Sequence, residues 1–234
     1  MTRAHIFDMD GTLVRSTSAP VLVAAAMGRG DSLVELEERF ATGLATAADF
    51  ARALHEMWGV VSPEVARRAF VTAPLIENVR EVLHDIRLRG EAACLITMSP
   101  DYFAEHFLEF GFDAVFASRF PRSADLALDE EAILNPEDKP LLAARFCAEH
   151  GVQLEDAVAY GDSMSDVFLF REVGLRVSVN GDDHLAELAD IAVEGSDLWL
   201  AYRAAREWCD GVGSVAEGGA RGSAFRPGSG EYHA

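Results

Sequence analysis

Two aspartates separated by one residue stand near the start of the chain, in segment 8–12, whose sequence is Asp-Met-Asp-Gly-Thr. The apolar residues before them predict a short buried strand over 3–8 that ends at Asp8. Two carboxylates at the end of a buried strand are costly unless a cation neutralises them. Mg²⁺ prefers carboxylate oxygens together with substrate phosphate, and one aspartate of such a pair can attack phosphorus while the other moves protons. A capped turn without chemistry is the alternative interpretation of this motif alone.

Two further polar residues stand at positions suited to a phosphate group. Thr97 follows a continuous apolar run at 92–96 and precedes a predicted helix, where a hydroxyl and backbone amides can bind a phosphate oxygen. Lys139 is the single lysine among the 20 Lys and Arg residues, and it lies just before another predicted helix. A lysine in a chain that otherwise uses arginine indicates a need for a compact ammonium group on a flexible stem. A helix cap and a chance surface lysine are the alternatives.

A second pair of carboxylates follows another predicted strand. The apolar run 157–160 is followed by Gly161 and Asp162, and Asp166 comes four residues after Asp162. The glycine lets the backbone turn directly after the strand. Asp162 and Asp166 would complete an acidic metal site with the two aspartates at the start of the chain.

From residue 76 onward the hydrophobic pattern alternates between helix and strand. Continuous apolar runs predict buried strands at 92–96, 114–117, 157–160 and 177–179. Helical periodicity predicts helices at 76–89, 101–110, 140–150, 184–189 and 198–208, with an irregular acidic flap or hairpin at 119–137. The alternation predicts an α/β fold with a doubly wound, Rossmann-like parallel sheet, in which functional residues gather beyond the carboxyl ends of the strands.

Segment 16–76 differs from the rest of the chain because no strand pattern interrupts its helical periodicity. Asp31-Ser32, Thr46 and Ser62 are predicted to cap three of its helices. We therefore predict an α/β core formed by residues 1–15 and 77–210, a small all-helical domain inserted after the first strand at 16–76, and a disordered, glycine-rich tail at 211–234.

The composition excludes several classes of partner. The 234 residues carry a formal net charge of −19 at pH 7, which disfavours nucleic acid and an anionic membrane surface as partners. A small anionic substrate stays compatible when a metal or a local cation supplies positive charge. The three cysteines are far apart and predict reduced thiols, and no apolar leader or membrane-spanning run is present, so we expect a cytoplasmic protein, either monomer or homodimer.

The four motifs occur in the order typical of the haloacid dehalogenase superfamily, and the chain resembles this superfamily over about residues 3–208. The resemblance implies that Asp8 is the nucleophile that forms an aspartyl-phosphate, and that Asp10 is the general acid and base. It also implies that phosphate is bound by Thr12, Thr97, Met98 and Lys139, and that Mg²⁺ is held by Asp8, the Asp10 carbonyl and Asp162, with support from Asp166. The expected activity is that of a Mg²⁺-dependent phosphatase, a phosphoric monoester hydrolase acting on a small phosphorylated metabolite.

The helical insert resembles the C1 cap of this superfamily, and the other motifs are similar to those of its phosphoserine phosphatase branch. That branch grips the amino acid with a glutamate and a cap arginine, whereas Thr17 and Met57 stand at the matching positions here. Without both contacts an amino-acid zwitterion loses its partners, so we expect a sugar, cyclitol or amino-alcohol phosphate rather than phosphoserine. Arg52 lies about one helical turn from Met57, which keeps open a phosphoserine phosphatase with a divergent pocket. The acidic run 35–38 is interpreted as a solvated helix face.

Two other functions stay open at this point. A phosphomutase or phosphotransferase acting on a sugar phosphate would form the same aspartyl-phosphate but pass the phosphoryl group to a sugar instead of water. A catalytically idle binding module would keep the fold without Mg²⁺ dependence. Asp10 favours phosphoryl chemistry over dehalogenation, because a proton donor is needed to expel an alkoxide.

Overall fold

A parallel β-sheet forms the centre of the molecule. The computed structural model describes residues 2–29, 33–41 and 44–211. Within them, six strands pair in the order β3-β2-β1-β4-β5-β6, and every pairing is parallel. The strands are β1 (Ala4–Phe7), β2 (Ala92–Pro100), β3 (Ala114–Ser118), β4 (Val158–Gly161), β5 (Leu175–Val179) and β6 (Ile191–Val193). The predicted doubly wound α/β fold is confirmed.

Helices cover both faces of this sheet. The helices after the insert are α5 (Val79–Leu88), α6 (Asp101–Ala104), α7 (Asp138–Glu149), α8 (Val167–Phe170), α9 (Asp183–Leu188) and α10 (Leu198–Cys209). Consecutive side chains of β1 enter different apolar clusters, since Ile6 packs with α7 and α8 whereas Phe7 packs with α5 and α10. Burial on both faces explains why the strand sequences are continuously apolar.

The insert between β1 and α5 is helical throughout its described part. Its helices are α1 (Ala19–Ala26), α2 (Val34–Ala41), α3 (Ala47–Trp58) and α4 (Pro63–Val71). Thr46 caps α3 through a reciprocal capping box with Asp49, and Ser62 accepts a hydrogen bond from the Val65 amide at the start of α4. The predicted cap at Asp31-Ser32 lies outside the described residues. Apolar side chains of the insert and of the sheet belong to one continuous cluster, so the two parts share a core.

Some elements differ from the sequence predictions. Strand β2 continues to Pro100 with an irregular register after Ile96, and the short strand β6 was not predicted at all. The predicted helix at 101–110 is only one α-helical turn followed by the 3₁₀ helix Glu105–Phe110. Segment 119–137 contains a single short 3₁₀ helix and is otherwise irregular, as predicted. The predicted tail lies outside the described residues after residue 211.

The strand order places the site. From β1 the chain moves through β2 to β3 on one side, and the later strands β4 to β6 extend the sheet on the other side. Ligands bind where the strand order reverses in such sheets, outside the carboxyl ends of the strands. Asp8 follows β1 and Asp162 follows β4, and the two strands are joined by a hydrogen bond from the Asp8 amide to the Tyr160 carbonyl at 2.9 Å.

A buried histidine ties β1 to the last helix. The ring nitrogens of His5 lie 3.1 Å from the Tyr160 hydroxyl and 3.0 Å from the Glu91 carboxylate, which also accepts from Arg206 on α10. Burial lowers the pKa of His5 below its ordinary value of 6.5, although the Glu91 carboxylate acts in the opposite direction.

We expect His5 to contribute a component of the free energy of unfolding that falls as the pH drops through 6.5, because the unfolded chain then protonates His5 while the folded state keeps it neutral. The slope is at most about 1.4 kcal/mol per pH unit. His5→Gln should remove this component, and His84→Gln, at an exposed position of α5, should retain it. Urea unfolding at about pH 7, 6 and 5 measures the difference, and parallel profiles for His5→Gln and wild type would contradict it.

Candidate active site

A buried lysine joins two of the predicted carboxylates. The Lys139 ammonium lies 2.7 Å from Asp8 Oδ1 and 2.7 Å from Asp166 Oδ1, and its side chain is 1% exposed. Lys139 is in the first turn of α7, and its long side chain brings the ammonium group to Asp8, directly after β1. The charges of Asp166 and Asp8 outweigh burial and raise the pKa of Lys139, which stays cationic. Buried charges of this kind are stable only as a paired set.

Asp162 adds a further carboxylate, and Lys139 does not contact it. Burial, reinforced by the negative charge of Asp8, raises the pKa of Asp162. Burial also raises the pKa of Asp8, in spite of its contact with Lys139. Both shifts have the same origin, since negative charge is concentrated at a desolvated place with too little positive charge around it.

Two glycines make this concentration of carboxylates possible. Gly11 has φ +85°, and a Cβ there would collide with the carboxylate of Asp162. A Cβ on Gly161 would collide with the carboxylate of Asp166. The glycine inside the first motif and the glycine that begins the last one are therefore required by the close approach of carboxylates, and Gly11 also by its positive φ.

The carboxylate cluster has the oxygen ligands that a divalent cation needs. One oxygen from each of Asp8, Asp162 and Asp166 lies within 4.8 Å of the others. Asp162 Oδ1 is buried and has no hydrogen-bond partner among the described residues. Hard carboxylate oxygens are the ligands of Mg²⁺, and the ion would satisfy the unpaired oxygen and the surplus charge together. The residues present fit the predicted metal.

Asp10 has a different environment from the clustered carboxylates of Asp8, Asp162 and Asp166. Its Oδ1 accepts a hydrogen bond from the Ala19 amide at 2.7 Å, and its Oδ2 accepts from the Ser99 hydroxyl at 2.5 Å. Burial raises the pKa of Asp10 to about 6, although both hydrogen bonds favour the ionised form. Ala19 begins α1, so the first helix of the insert holds one oxygen of Asp10 and strand β2 holds the other.

Asp8 and Asp10 face a cavity of about 400 Å³ between the sheet edge and the insert, whereas Asp162 and Asp166 are not among its lining residues. Its lining includes Asp8, Asp10, Thr97, Met98 and Lys139 from the predicted site. The Thr97 hydroxyl also accepts a hydrogen bond from the Ser99 amide at 3.1 Å, which orients it in the loop-like end of β2. Predicted phosphate-binding residues from two separate elements, β2 and α7, therefore meet in one cavity.

Other predicted residues do not line this cavity. Thr12 is fully buried next to the first motif, and its hydroxyl has no partner among the described residues. The three predicted specificity residues Thr17, Arg52 and Met57 are not among the lining residues. Arg52 instead forms ion pairs with Asp49 and Glu130 on the surface, with 45% of its side chain exposed.

Several lining residues escaped the sequence reasoning. They are Ser18, Glu37, Phe40, Phe50, Ser99, Ser163 and Ser165. A signal existed only for Ser99, which stands two residues after Thr97, and for Ser163 and Ser165 inside the last motif. Glu37 was interpreted as part of a solvated helix face, but its side chain is half-buried and lines the cavity.

The sequence profile of the haloacid dehalogenase-like hydrolases matches residues 6–171. The chain belongs to this family. Phosphoserine phosphatase from Archaeoglobus fulgidus is 25% identical over 202 residues, which are 84% of this chain and 58% of the relative. Phosphoserine phosphatase from Methanocaldococcus jannaschii is 24% identical over 196 residues, which are 82% of this chain and 92% of the relative. The chain thus spans little more than half the length of the first of these relatives.

Solved structures show the same fold. A substrate-bound phosphoserine phosphatase complex matches with a TM-score of 0.74 at 22% identity, over 87% of this chain and 98% of that one. A hydrolase of this family from Salmonella enterica matches with a TM-score of 0.75 at 17% identity, over 86% and 71% of the two chains. The predictions of the family and of a hydrolase are confirmed, and the relatives named as phosphoserine phosphatases support the predicted branch. Within the described residues, no helix combines the length and the apolar character needed to cross a membrane.

We expect Mg²⁺ to raise the melting temperature of the wild-type protein, because an ion that binds the folded carboxylates stabilises that state by mass action. The gain is about 2.7 kcal/mol at one hundred times the dissociation constant. Asp162→Asn should lose most of this gain, yet without metal it should be at least as stable as wild type, because a crowded carboxylate has been removed. Thermal unfolding with EDTA and with Mg²⁺ measures both effects. Asp183→Asn, at an exposed position, is the control, and an equal Mg²⁺ response in all three proteins would refute the assignment.

Proposed function

We propose that this protein is a Mg²⁺-dependent phosphoric monoester hydrolase that acts on a small phosphorylated metabolite through an aspartyl-phosphate on Asp8. The observation that carries the proposal is the buried contact between Lys139 and Asp8 in the lining of the cavity, with Asp10 and Thr97 in the same lining. The family to which the chain belongs and the relatives named as phosphoserine phosphatases support it.

The chain's own residues account for the first half of the reaction. Lys139 donates to Asp8 Oδ1, which orients the carboxylate and leaves Oδ2 for attack on phosphorus. Thr97 and the adjacent backbone bind phosphoryl oxygens, and Mg²⁺, when bound, neutralises charge on the carboxylates and on those oxygens. As the bond from Asp8 to phosphorus forms, the bond from phosphorus to the ester oxygen breaks, and a proton from Asp10 passes to the departing alkoxide.

The second half regenerates the enzyme. Asp10, now ionised, takes a proton from a water molecule, whose oxygen attacks phosphorus and displaces Asp8 as a free carboxylate. Inorganic phosphate leaves, and Asp10 carries the proton for the next cycle. A pKa of about 6 suits Asp10 to both tasks, since it can hold and release a proton near neutral pH.

Phosphoserine is not the preferred substrate in this proposal. An amino-acid carboxylate needs a cation away from the phosphate end of the cavity, and among the described lining residues Lys139 is the one cation, already engaged by Asp8 and Asp166. Arg52, which could have supplied the contact, is paired with acidic residues on the surface. A carboxylate at that end would be buried without a partner.

Asp8→Asn should reduce hydrolysis of p-nitrophenyl phosphate by at least about a thousandfold, because an amide cannot attack phosphorus. Release of inorganic phosphate is the measurement, and it also separates hydrolysis from transfer to an added sugar. Circular dichroism checks that the variant is folded, and Asp129→Asn, at an exposed position outside the cavity lining, is the control. Turnover near the wild-type rate would remove Asp8 as nucleophile.

Ser99 is a positioning residue for Asp10 in this mechanism, and its removal should affect substrates unequally. Ser99→Ala should lower kcat/KM about tenfold or more for an alkyl phosphate, whose alkoxide needs the proton of Asp10. The loss should be much smaller for p-nitrophenyl phosphate, because p-nitrophenolate leaves without protonation. kcat/KM is the correct readout, since it contains only the steps through formation of the aspartyl-phosphate.

Ser99→Thr retains the hydroxyl and should restore the alkyl phosphate activity. If Ser99 had a purely structural role, its removal would lower kcat/KM for both substrates by the same factor. Equal losses in Ser99→Ala, or no rescue by threonine, would therefore count against the positioning role.

A further inference from the structure

The part of the cavity away from the carboxylate cluster is almost entirely apolar. On the insert side it is walled by α1, α2 and α3, and Phe120 and Ile133 close it from the segment between β3 and α7. The apolar lining residues are Pro20, Phe40, Ala47, Phe50, Ala51, Leu54, Met98, Pro100, Phe120 and Ile133. A polyhydroxylated sugar or cyclitol would lose hydration against this wall with few hydrogen bonds in return.

One charged group interrupts this apolar wall. Apart from Asp8, Asp10 and Lys139, Glu37 is the single charged residue among the described lining residues. Its Oε1 accepts a hydrogen bond of 2.8 Å from the Ser18 hydroxyl, and no ion pair joins it to a cation within the described part of the chain. A half-buried carboxylate that lines a cavity without a paired cation of its own is suited to bind one from a ligand.

Two aromatic rings stand beside this carboxylate. Phe40 is three residues after Glu37 on α2, so the two side chains share a helix face. Phe50 on α3 meets Phe40 with ring centroids 5.1 Å apart and planes tilted by 48°. Both rings line the cavity. A carboxylate next to tilted aromatic rings is the environment that binds ammonium and substituted ammonium groups.

The carboxylate is also close to the reacting end. Ser18, which donates to Glu37, is adjacent to Ala19, whose amide donates to Asp10 at 2.7 Å. Glu37 and the proton-transferring Asp10 are therefore linked through two hydrogen bonds and one peptide unit. This short link leaves room for a spacer of only a few atoms between the ester oxygen and a cation at Glu37.

We infer that the substrate is the phosphomonoester of a small amino alcohol, with an ammonium or substituted ammonium group bound by Glu37, Phe40 and Phe50 and with no carboxylate. The inference rests on the proposed phosphatase activity and assigns a substrate class to the same cavity. It also gives a role to a residue that the sequence pattern assigned to solvent.

A matched pair of substrates tests the inference. Phosphocholine and 3,3-dimethylbutyl phosphate have the same shape and differ in a quaternary nitrogen or carbon atom. Wild-type kcat/KM should be about tenfold or more higher for phosphocholine, and Glu37→Gln should lower this ratio severalfold towards one. Phosphoethanolamine should likewise be a better substrate than phosphoserine, which adds a carboxylate. Glutamine keeps the size of the side chain and its bond to Ser18.

The ratio of kcat/KM for phosphocholine to kcat/KM for 3,3-dimethylbutyl phosphate is measured within each variant. It separates the failure of this inference from the failure of the proposed function. If the wild type hydrolyses neither member of the pair nor p-nitrophenyl phosphate, the phosphatase proposal itself is wrong. If it hydrolyses both and the neutral ester is equal or better, or Glu37→Gln leaves the ratio unchanged, the cation site is wrong. Glu35→Gln removes the same charge from an exposed position of α2 and should keep the wild-type ratio. A ratio that falls equally in Glu35→Gln would show a general charge effect and overturn the inference as well.

Discussion

The buried ammonium of Lys139 is the contact on which the rest of the site depends. It joins Asp8, at the end of β1, to Asp166, in the turn after β4, at 2.7 Å each. Because the lysine itself belongs to α7, the cluster connects three elements that are far apart in the sequence. Removing one member of a buried ion cluster leaves an uncompensated charge and costs about 3–5 kcal/mol. The same contact therefore maintains the geometry of the strand ends and orients Asp8.

The insert and the sheet meet at Asp10 as well as in the apolar core. One oxygen of Asp10 is held by α1 of the insert and the other by Ser99 of β2. A ligand that contacts Glu37 acts on Ser18, which directly precedes the amide that holds Asp10. In the proposed mechanism, recognition of the alcohol part of a substrate and orientation of the proton donor thus depend on the same first turn of α1. A substrate that packs against the apolar wall of the cavity would stabilise the catalytic arrangement, and one that does not contact this wall would not.

The sheet side of the site could be predicted from the sequence, whereas the insert side could not. Parallel strands bring their carboxyl ends to one edge, so residues directly after apolar runs, such as Asp8 and Asp162, had to converge. On a helix each residue is rotated by 100° from the previous one, and helix orientation depends on packing that no local pattern encodes. The expected environments of Arg52 and Glu37 were accordingly wrong. The arginine lies on the surface instead of in the pocket, and the glutamate lines the cavity instead of facing solvent. Ser99 escaped notice because β2 continues, with irregular register, beyond its apolar run.

The charge balance of the cavity explains why its two ends need different partners. Carboxylates outnumber the single lysine in and around it, in a chain whose net charge is already −19. A phosphate ester brings further negative charge, which a divalent cation offsets only at the reacting end. Water and salt screen distant surface charges over about 8 Å, but they screen Glu37 less because it is half-buried in an apolar wall. A positive group on the proposed substrate would remove that remaining repulsion away from the reacting end. The charge balance of the whole cavity, rather than of its phosphate end alone, therefore favours a zwitterionic ester.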